Sequence, residues 1–206
     1  MNTGLSSDAG NFPSCYLPSV EYFIQLHKFG EVVIDTNEQY RKQTVRNRCF
    51  ILSPNGIQCL SVPVIYHSSE RQTTRQIKIS YVEPWQKIHC RAIKSAYGRS
   101  AYFEFYSDEL EAFYLRQYEY LHELNSALLL FLLKKMKSPV SVNESVIADE
   151  KENFTLLANA KNNSMVTDIS CKSYNQVFQS KFGFTENLSA LDLLFNTGNR
   201  AVEYLK

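Results

Sequence analysis

The dipeptide Asn55-Gly56 constrains the possible folds of this chain more than any other feature of its sequence. It lies between two apolar runs, at residues 49–52 and 58–65. Asn-Gly favours the left-handed backbone conformation that a tight turn between antiparallel strands requires. We therefore predict a β-hairpin here, and with it a sheet in the N-terminal half of the chain.

Hydrophobic periodicity places other strands and helices around this hairpin. Residues 31–35 are a β-branched run typical of a buried strand, and residues 21–29 before it carry apolar side chains at helical spacing. The segment at residues 76–81 alternates like a strand. Further helices are predicted over residues 85–97, as one long helix over residues 107–137, over residues 174–182, and from a cap at Asn187 or Ser189 to Gly198.

These elements together predict an α/β fold. It has a small mixed sheet with the hairpin in the N-terminal half and a helix-rich C-terminal half. The polar residues 1–12 predict a flexible lead, and residues 13–206 predict one domain, which suits a chain of 206 residues.

The charge balance argues against nucleic acid as a partner. Lys and Arg number 22 and Asp and Glu number 21, so the net charge is +1, whereas proteins that bind nucleic acid through broad charge are strongly basic. The longest apolar run, at residues 127–133, is too short to span a bilayer. With no signal-peptide pattern at the N-terminus, we expect a cytoplasmic protein, and its oligomeric state is left open.

Metal and cofactor signatures are absent from the sequence. The five cysteines form no CxxC pair, which is typical of reduced thiols in the cytoplasm, and the four histidines have no metal-ligand spacing. GxGxxG, GxxxxGK[ST] and GxSxG motifs are also missing. We therefore expect neither a metal nor a cofactor.

The densest chemical signal is a basic segment with Arg41, Lys42, Arg46 and Arg48. If a strand begins at Arg46, the guanidinium groups of Arg46 and Arg48 share one face and Asn47 lies on the other. Two guanidinium groups on one face suit a bidentate grip on phosphate or carboxylate. The alternative is a solvated basic edge strand that blocks aggregation.

Three further residues are candidates for acid–base chemistry. His89 lies near the start of a predicted helix among cations, which would keep it neutral and fit to act as a general base. Asp35 follows a predicted strand, where ligand residues often lie, and Glu21 is near it in the N-terminal part. The alternatives are a histidine that fills an interface and acids that cap a turn or helix.

Six segments stand out together, from about residue 13 to the end of the chain. They are PSCYLPSVEYF at residues 13–23, EVVID at 31–35, YRKQTVRNRC at 40–49, WQKIHCRAIKSAY at 85–97, YFEFY at 102–106 and NLSALDLLFN at 187–196. Together these segments resemble the WbqC-like family. The family pattern has an apolar strand before the first of them, whereas residues 6–11 here are polar.

The resemblance implies an enzyme of bacterial surface-polysaccharide biosynthesis, such as that of the O-antigen. It implies the transfer of a glycyl or aminoacyl group onto a nucleotide-linked sugar. An anionic small-molecule substrate, a sugar nucleotide or an acyl donor, agrees with the basic segment. The alternative is a non-catalytic module that binds a ligand or a partner of envelope assembly.

On the first hypothesis, each candidate residue has a role. Lys42, Arg46 and Arg48 hold the anionic donor, Asn47 and Tyr97 orient the acceptor, and Tyr22 adds to substrate binding, while the catalytic residues are His89, Asp35 and Glu21.

Asp192 and Asn196 lie four residues apart, on one face of the last predicted helix. Their side chains could orient a catalytic base or a substrate hydroxyl. Leu191, Leu194 and Phe195 on the adjoining face instead favour a packing helix. Both readings stay open at the level of sequence.

Overall fold

We describe the protein from a computed structural model that covers residues 10–67, 71–145 and 171–205. The N-terminal part is a βαβ unit. Strand β1 (Gly10–Pro13) and strand β2 (Glu31–Asp35) pair in parallel, and helix α1 (Val20–Leu26) connects them. The hydroxyl of Ser19 accepts a hydrogen bond from the amide of Tyr22 and caps α1.

Strand β1 lies partly within the segment that the sequence predicted as a flexible lead. Its residues 10–12 are buried, because the ring of Phe12 packs edge-on against Tyr22 and Phe29. Pairing with β2 and this aromatic contact outweigh the polar composition around it. Residues 1–9 lie outside the described part of the chain, so the rest of the predicted lead stays a prediction.

The predicted hairpin is confirmed. Strands β3 (Arg48–Ser53) and β4 (Gly56–Ser61) pair antiparallel around the Asn55-Gly56 turn. The apolar run at residues 58–65 does not continue as one strand. The backbone of Val62 bonds to Asn47, and a separate short strand β5 (Val64–Ile65) pairs antiparallel with β6 (Lys78–Ile79).

The long helix predicted over residues 107–137 is wrong, because two helices occupy this region. They are α3 (Phe103–Tyr114) and α4 (Leu121–Met136), and they follow α2 (Trp85–Tyr97), which agrees with its prediction. The chain leaves the helical path between α3 and α4 to pair with the segment around β6. The amide of Ile79 donates to the carbonyl of Glu119, and the amide of Leu121 donates to that of Ile77.

The C-terminal part adds a strand, two α-helices and a 3-10 helix. Strand β7 (Ser141–Ser145) joins the parallel sheet beside β2, so its order is β1-β2-β7. The helix predicted over residues 174–182 is shorter, as α5 (Gln179–Phe182), whereas the last helix is α6 (Ala190–Thr197), with Ser189 and Gly198 at its ends as predicted. A 3-10 helix (Gly198–Tyr204) follows.

The fold class is the predicted mixed α/β, with the small sheets in the N-terminal half apart from β7. The described strands form three separate sheets rather than one mixed sheet: the parallel β1-β2-β7 and two antiparallel pairs. No helix in residues 10–67, 71–145 or 171–205 is both long enough and apolar enough to cross a bilayer.

Candidate functional site

Arg46 lies in the interior of the protein and forms an ion pair with Glu38. Its side chain is 0% exposed in the folded chain. Nε donates to Oε1 of Glu38 at 2.8 Å, and Nη2 donates to Oε2 at 2.6 Å. Burial raises the pKa of Glu38, and the hydrogen bonds and charge of Arg46 lower it in turn. The carboxylate of Glu38 thus compensates the positive charge of the buried guanidinium through two hydrogen bonds.

Arg48 and Tyr40 lie beside this pair and offer two unpartnered donors. The Tyr40 hydroxyl and Nε of Arg48 are buried, and neither has a hydrogen-bond partner among the residues that the structure describes. Burial raises the pKa of Tyr40 to about 12, and the nearby charges of Arg46 and Arg48 lower it. Both arginines therefore flank one hydroxyl. Arg48 is half-buried, so other atoms of its side chain are exposed.

Lys42 and Asn47 flank the arginines along the chain. Lys42 is exposed. Asn47 is buried and donates from Nδ2 to the carbonyl of Val62 at 2.9 Å and to the Ser61 hydroxyl at 3.4 Å. These bonds fix the segment before β3 to the end of β4. Asn47 is thus engaged in holding the backbone, and its role in orienting an acceptor stays a prediction.

His89 projects from α2 into a buried polar chain with two tyrosines. The hydroxyl oxygen of Tyr16 lies 2.8 Å from Nδ1 of His89 and 2.6 Å from the hydroxyl oxygen of Tyr114. Burial lowers the pKa of His89 to about 4, and a hydrogen bond with the backbone of Ser61 opposes the change. The ring is therefore neutral near pH 7. At 3% exposure it reaches solvent only through its neighbours.

The side chains of β3 alternate between two faces of the strand. Cys49 and Ile51 are buried, so they point to the core, whereas Arg48 and Phe50 alternate with them and point to the other face. The charge that a Cys49 thiolate would carry raises the pKa of both Tyr16 and Tyr114, so Cys49 lies near the chain of tyrosines. The ring of His89 also bonds with the backbone of Ser61, which pairs with Arg48 across the hairpin.

The other predicted residues are distributed around the N-terminal unit. Asp35 ends β2, where its Oδ1 accepts a hydrogen bond from the amide of Asn37, and its charge raises the pKa of Glu38. Glu21 is 1% exposed, and its Oε2 accepts a hydrogen bond from Asn187 at 2.7 Å. Burial raises the pKa of Glu21, and that bond lowers it. Asp35 thus lies near the arginines, whereas Glu21 contacts the segment before α6.

Tyr22 and Tyr97 are both buried. The Tyr22 hydroxyl donates to the carbonyl of Pro13 at 2.9 Å, which ties α1 to the end of β1. The ring of Tyr97 packs on Phe195 of α6. Their predicted contacts with substrate stay predictions.

A buried network surrounds Asp192 in α6. Its Oδ2 accepts hydrogen bonds from the Tyr174 hydroxyl and from Nε2 of Gln176, both at 2.8 Å. Burial raises the pKa of Asp192 to about 6, and these donors lower it in turn. Asn196 donates to the backbone carbonyl of Asp192 at 2.7 Å. Asp192 thus ties α6 to the segment at Tyr174 and Gln176, whereas the bond of Asn196 lies within α6.

A surface cavity of about 220 Å³ lies between α2 and α3. Tyr114 of the His89 chain forms part of its lining, and sequence reasoning did not identify this residue. Its wall also includes charged side chains of both helices. The lining residues are Cys90, Arg91, Ile93, Lys94, Phe103, Ser107, Asp108, Leu110, Glu111 and Tyr114.

Sequence reasoning also missed Glu38, Tyr16 and Tyr40. Tyr16 and Tyr40 lie in segments that resemble the family pattern, which is the signal that could have marked them. Glu38 has no such signal, because its pairing with Arg46 depends on the path of the chain between β2 and β3. In the described residues, no three His, Cys, Asp or Glu side chains come together as ligands for a metal ion.

Comparison with known proteins identifies a family to which the chain is similar. The profile of the WbqC-like protein family matches residues 14–175. The chain is 30% identical over 220 residues to a Mycobacterium tuberculosis protein named "Uncharacterized protein Rv1507c", and the match covers 94% of this chain and 95% of that protein. No solved structure matches the chain.

We predict that replacing Arg46 with alanine lowers the free energy of unfolding by about 3–5 kcal/mol, because it strands the buried carboxylate of Glu38. The matched control is Lys78→Ala, which breaks the exposed ion pair of Lys78 with Glu119 and should lower the free energy of unfolding far less, because water screens that pair. Urea denaturation measures both. Equal losses in the two variants would contradict the structural role of the Arg46–Glu38 pair.

A second prediction concerns Asp192 and pH. Its pKa of about 6 exceeds the ordinary 3.8, so the folded chain binds a proton between these values that the unfolded chain has released. Protonation therefore stabilises the fold below pH 4, and this contribution is lost as pH rises through 6. Relative to wild type, Asp192→Asn should gain roughly 2–3 kcal/mol between pH 4 and 6. A difference between the two proteins that does not vary with pH would contradict the shift.

His89 should give the opposite dependence. Its pKa of about 4 lies below the ordinary 6.5, so the unfolded chain binds a proton first as pH falls. Wild type should lose stability relative to His89→Gln between pH 6.5 and 4, by roughly 3 kcal/mol. Denaturation curves of both proteins at a series of pH values measure this. If wild type gains stability relative to the variant on acidification, the ring is not held neutral.

Proposed function

The chain belongs to the WbqC-like protein family, and from that membership we propose that it is a transferase acting on an anionic, nucleotide-linked sugar. The proposed reaction moves a glycyl, aminoacyl or similar group onto that sugar in bacterial surface-polysaccharide biosynthesis, in the cytoplasm. All five cysteines are free thiols, which agrees with a reducing compartment.

One observation carries the proposal: two buried donors beside a cationic cluster lack partners. The Tyr40 hydroxyl and Nε of Arg48 are both unpartnered in the described parts of the chain. A buried donor without an acceptor costs about 1–3 kcal/mol. A phosphate or carboxylate group that reaches both donors would satisfy them and add a negative charge beside Arg48. The exposed Lys42 adds positive charge to the same segment of chain.

Arg46 has a different role in this proposal from the one its sequence position indicates. Because Glu38 takes up two of its nitrogens, Arg46 positions the segment that carries Tyr40 and Arg48. Its remaining charge still acts on Tyr40, as the pKa of that hydroxyl shows. Arg48 is therefore the residue that we propose to contact the anion.

His89 would act as a general base only through the two tyrosines. A proton from the substrate would pass to Tyr114, while Tyr114 passes its own proton to Tyr16 and Tyr16 passes one to Nδ1 of His89. The pKa of about 4 makes the ring a weak acceptor, so this role needs a strongly acidic donor. Glu21 and Asp35 stay candidates for the same step.

The second candidate function is a non-catalytic module that binds a ligand or an envelope-assembly partner. The observation that favours it is the burial of His89 and Glu21, each at most 3% exposed and each hydrogen-bonded within the chain. Side chains of this kind stabilise a fold without touching a substrate. A binding module would retain the anion site and form no product.

Calorimetry with a panel of sugar nucleotides and acyl donors tests the anion site. Loss of a charged hydrogen bond costs about 1.5–3 kcal/mol, so Arg48→Ala should weaken binding by roughly 10- to 100-fold. Tyr40→Phe should weaken it less and should not lower the melting temperature of the ligand-free protein, because the lost hydroxyl is buried without a partner. The matched control is Arg99→Ala, an exposed arginine after α2, which should bind as wild type does.

Equal affinity of wild type and Arg48→Ala, or no binding across the panel, would contradict the anion site. Incubation of a bound sugar nucleotide with an acyl donor, followed by mass spectrometry, separates the two functions. An acylated sugar supports the transferase. Tight binding without product supports the binding module.

A further inference from the structure

The cavity between α2 and α3 has walls of opposite charge. Arg91 and Lys94 project from α2, and Asp108 and Glu111 project from α3. Its volume of about 220 Å³ is below that of sites for drug-sized ligands, which start near 300 Å³. The cavity therefore suits a ligand of few atoms that carries both charges.

These charges do not pair with each other across the cavity. No ion pair within 4.0 Å joins the two walls in the part of the chain that the structure describes. On the same helix α3, Glu109 does form an ion pair with Lys135 of α4. The charges of the two walls are thus more than 4.0 Å apart, whereas Glu109 of α3 pairs with a cation of α4.

The floor between the charged walls is apolar. Ile93 and Leu110 are at most 3% exposed, and Tyr114 is 4% exposed, with its hydroxyl turned to Tyr16. An apolar floor with convergent charges is the usual character of a small-molecule site. It would receive the uncharged part of a ligand.

We propose that this cavity binds a small zwitterion. Arg91 and Lys94 bind its anionic group, Asp108 and Glu111 bind its cationic group, and its apolar part lies on Ile93, Leu110 and Tyr114. The charges of the ligand bridge walls that do not meet directly. The proposal goes beyond the proposed function and does not depend on it, because it uses neither Arg48 nor Tyr40.

Three probes of matched shape test the proposal by calorimetry. They are leucine, 4-methylpentanoate, which lacks the amino group, and 3-methylbutylamine, which lacks the carboxylate. Leucine should bind, and each analogue should bind several-fold more weakly, because it leaves the exposed charges of one wall without a partner. Analogues that bind as well as leucine, or no detectable heat with leucine at millimolar concentration, would overturn the proposal.

Variants on the same helices assign the binding to the cavity. Lys94→Met and Glu111→Gln should each weaken leucine binding several-fold, as expected for exposed charges. The matched controls are Lys87→Met and Glu104→Gln, which remove exposed charges of α2 and α3 outside the lining and should change nothing. Equal losses in controls and cavity variants would place any binding elsewhere and overturn the site.

Cys90 supplies a second readout that needs no variant. It lines the cavity and is half-buried, whereas Cys59 of β4 is exposed and lies outside it. Leucine should slow the alkylation of Cys90 by iodoacetamide at least several-fold and leave that of Cys59 unchanged, as peptide mass spectrometry measures. Unchanged alkylation of Cys90 at saturating leucine would contradict the site. Arg48→Ala should retain leucine binding, so the failure of one proposal is distinguishable from that of the other.

Discussion

The ion pair between Arg46 and Glu38 is the interaction on which most of the surrounding structure depends. Taking two charges out of water is costly, and only a bidentate geometry such as this one offsets that cost. The backbone around the pair then links distant parts of the chain. The carbonyl of Arg46 accepts a hydrogen bond from Asn125 of α4, and that of Glu38 accepts one from the amide of Thr74.

The residues on either side of Arg46 also link distant parts of the chain through backbone hydrogen bonds. Val45 accepts a hydrogen bond from the amide of Tyr16, and the carbonyl of Asn47 accepts one from the amide of Val62. The segment between β2 and β3 therefore holds the end of β1, the end of β4 and α4 together. Because Tyr16 is held by this segment, the position of the His89 chain also depends on the ion pair.

The sequence predicts the elements whose signal is local. The Asn55-Gly56 turn and the helix ends at Ser189 and Gly198 rest on backbone preferences of a few residues, and the structure agrees with them. The break between α3 and α4 has no glycine or proline to mark it. It arises because the backbone at Glu119 bonds with β6, about forty residues earlier, which no periodicity reports.

The candidate site also has features that the sequence predicts and features that depend on tertiary contacts. The basic segment is visible in the sequence, but its division into a paired Arg46 and an unpaired Arg48 follows from the position of Glu38. Likewise, His89 stands out as a histidine among cations, whereas its contacts join residues far apart in the chain, such as Tyr16 and Tyr114. Residue types thus predict which groups carry chemistry, and tertiary contacts decide which of them are available to a ligand.

Charged and polar groups that lack a partner within the chain indicate where a ligand would bind. In the described core, a charged group is buried either with a partner, as in the Arg46–Glu38 pair, or with a pKa moved toward neutrality, as for Asp192 and His89. Groups compensated in this way gain little from a ligand. Uncompensated donors remain at Arg48 and Tyr40, and unpaired charges remain at the walls between α2 and α3. A ligand at either place would meet groups that the folded chain leaves without a partner.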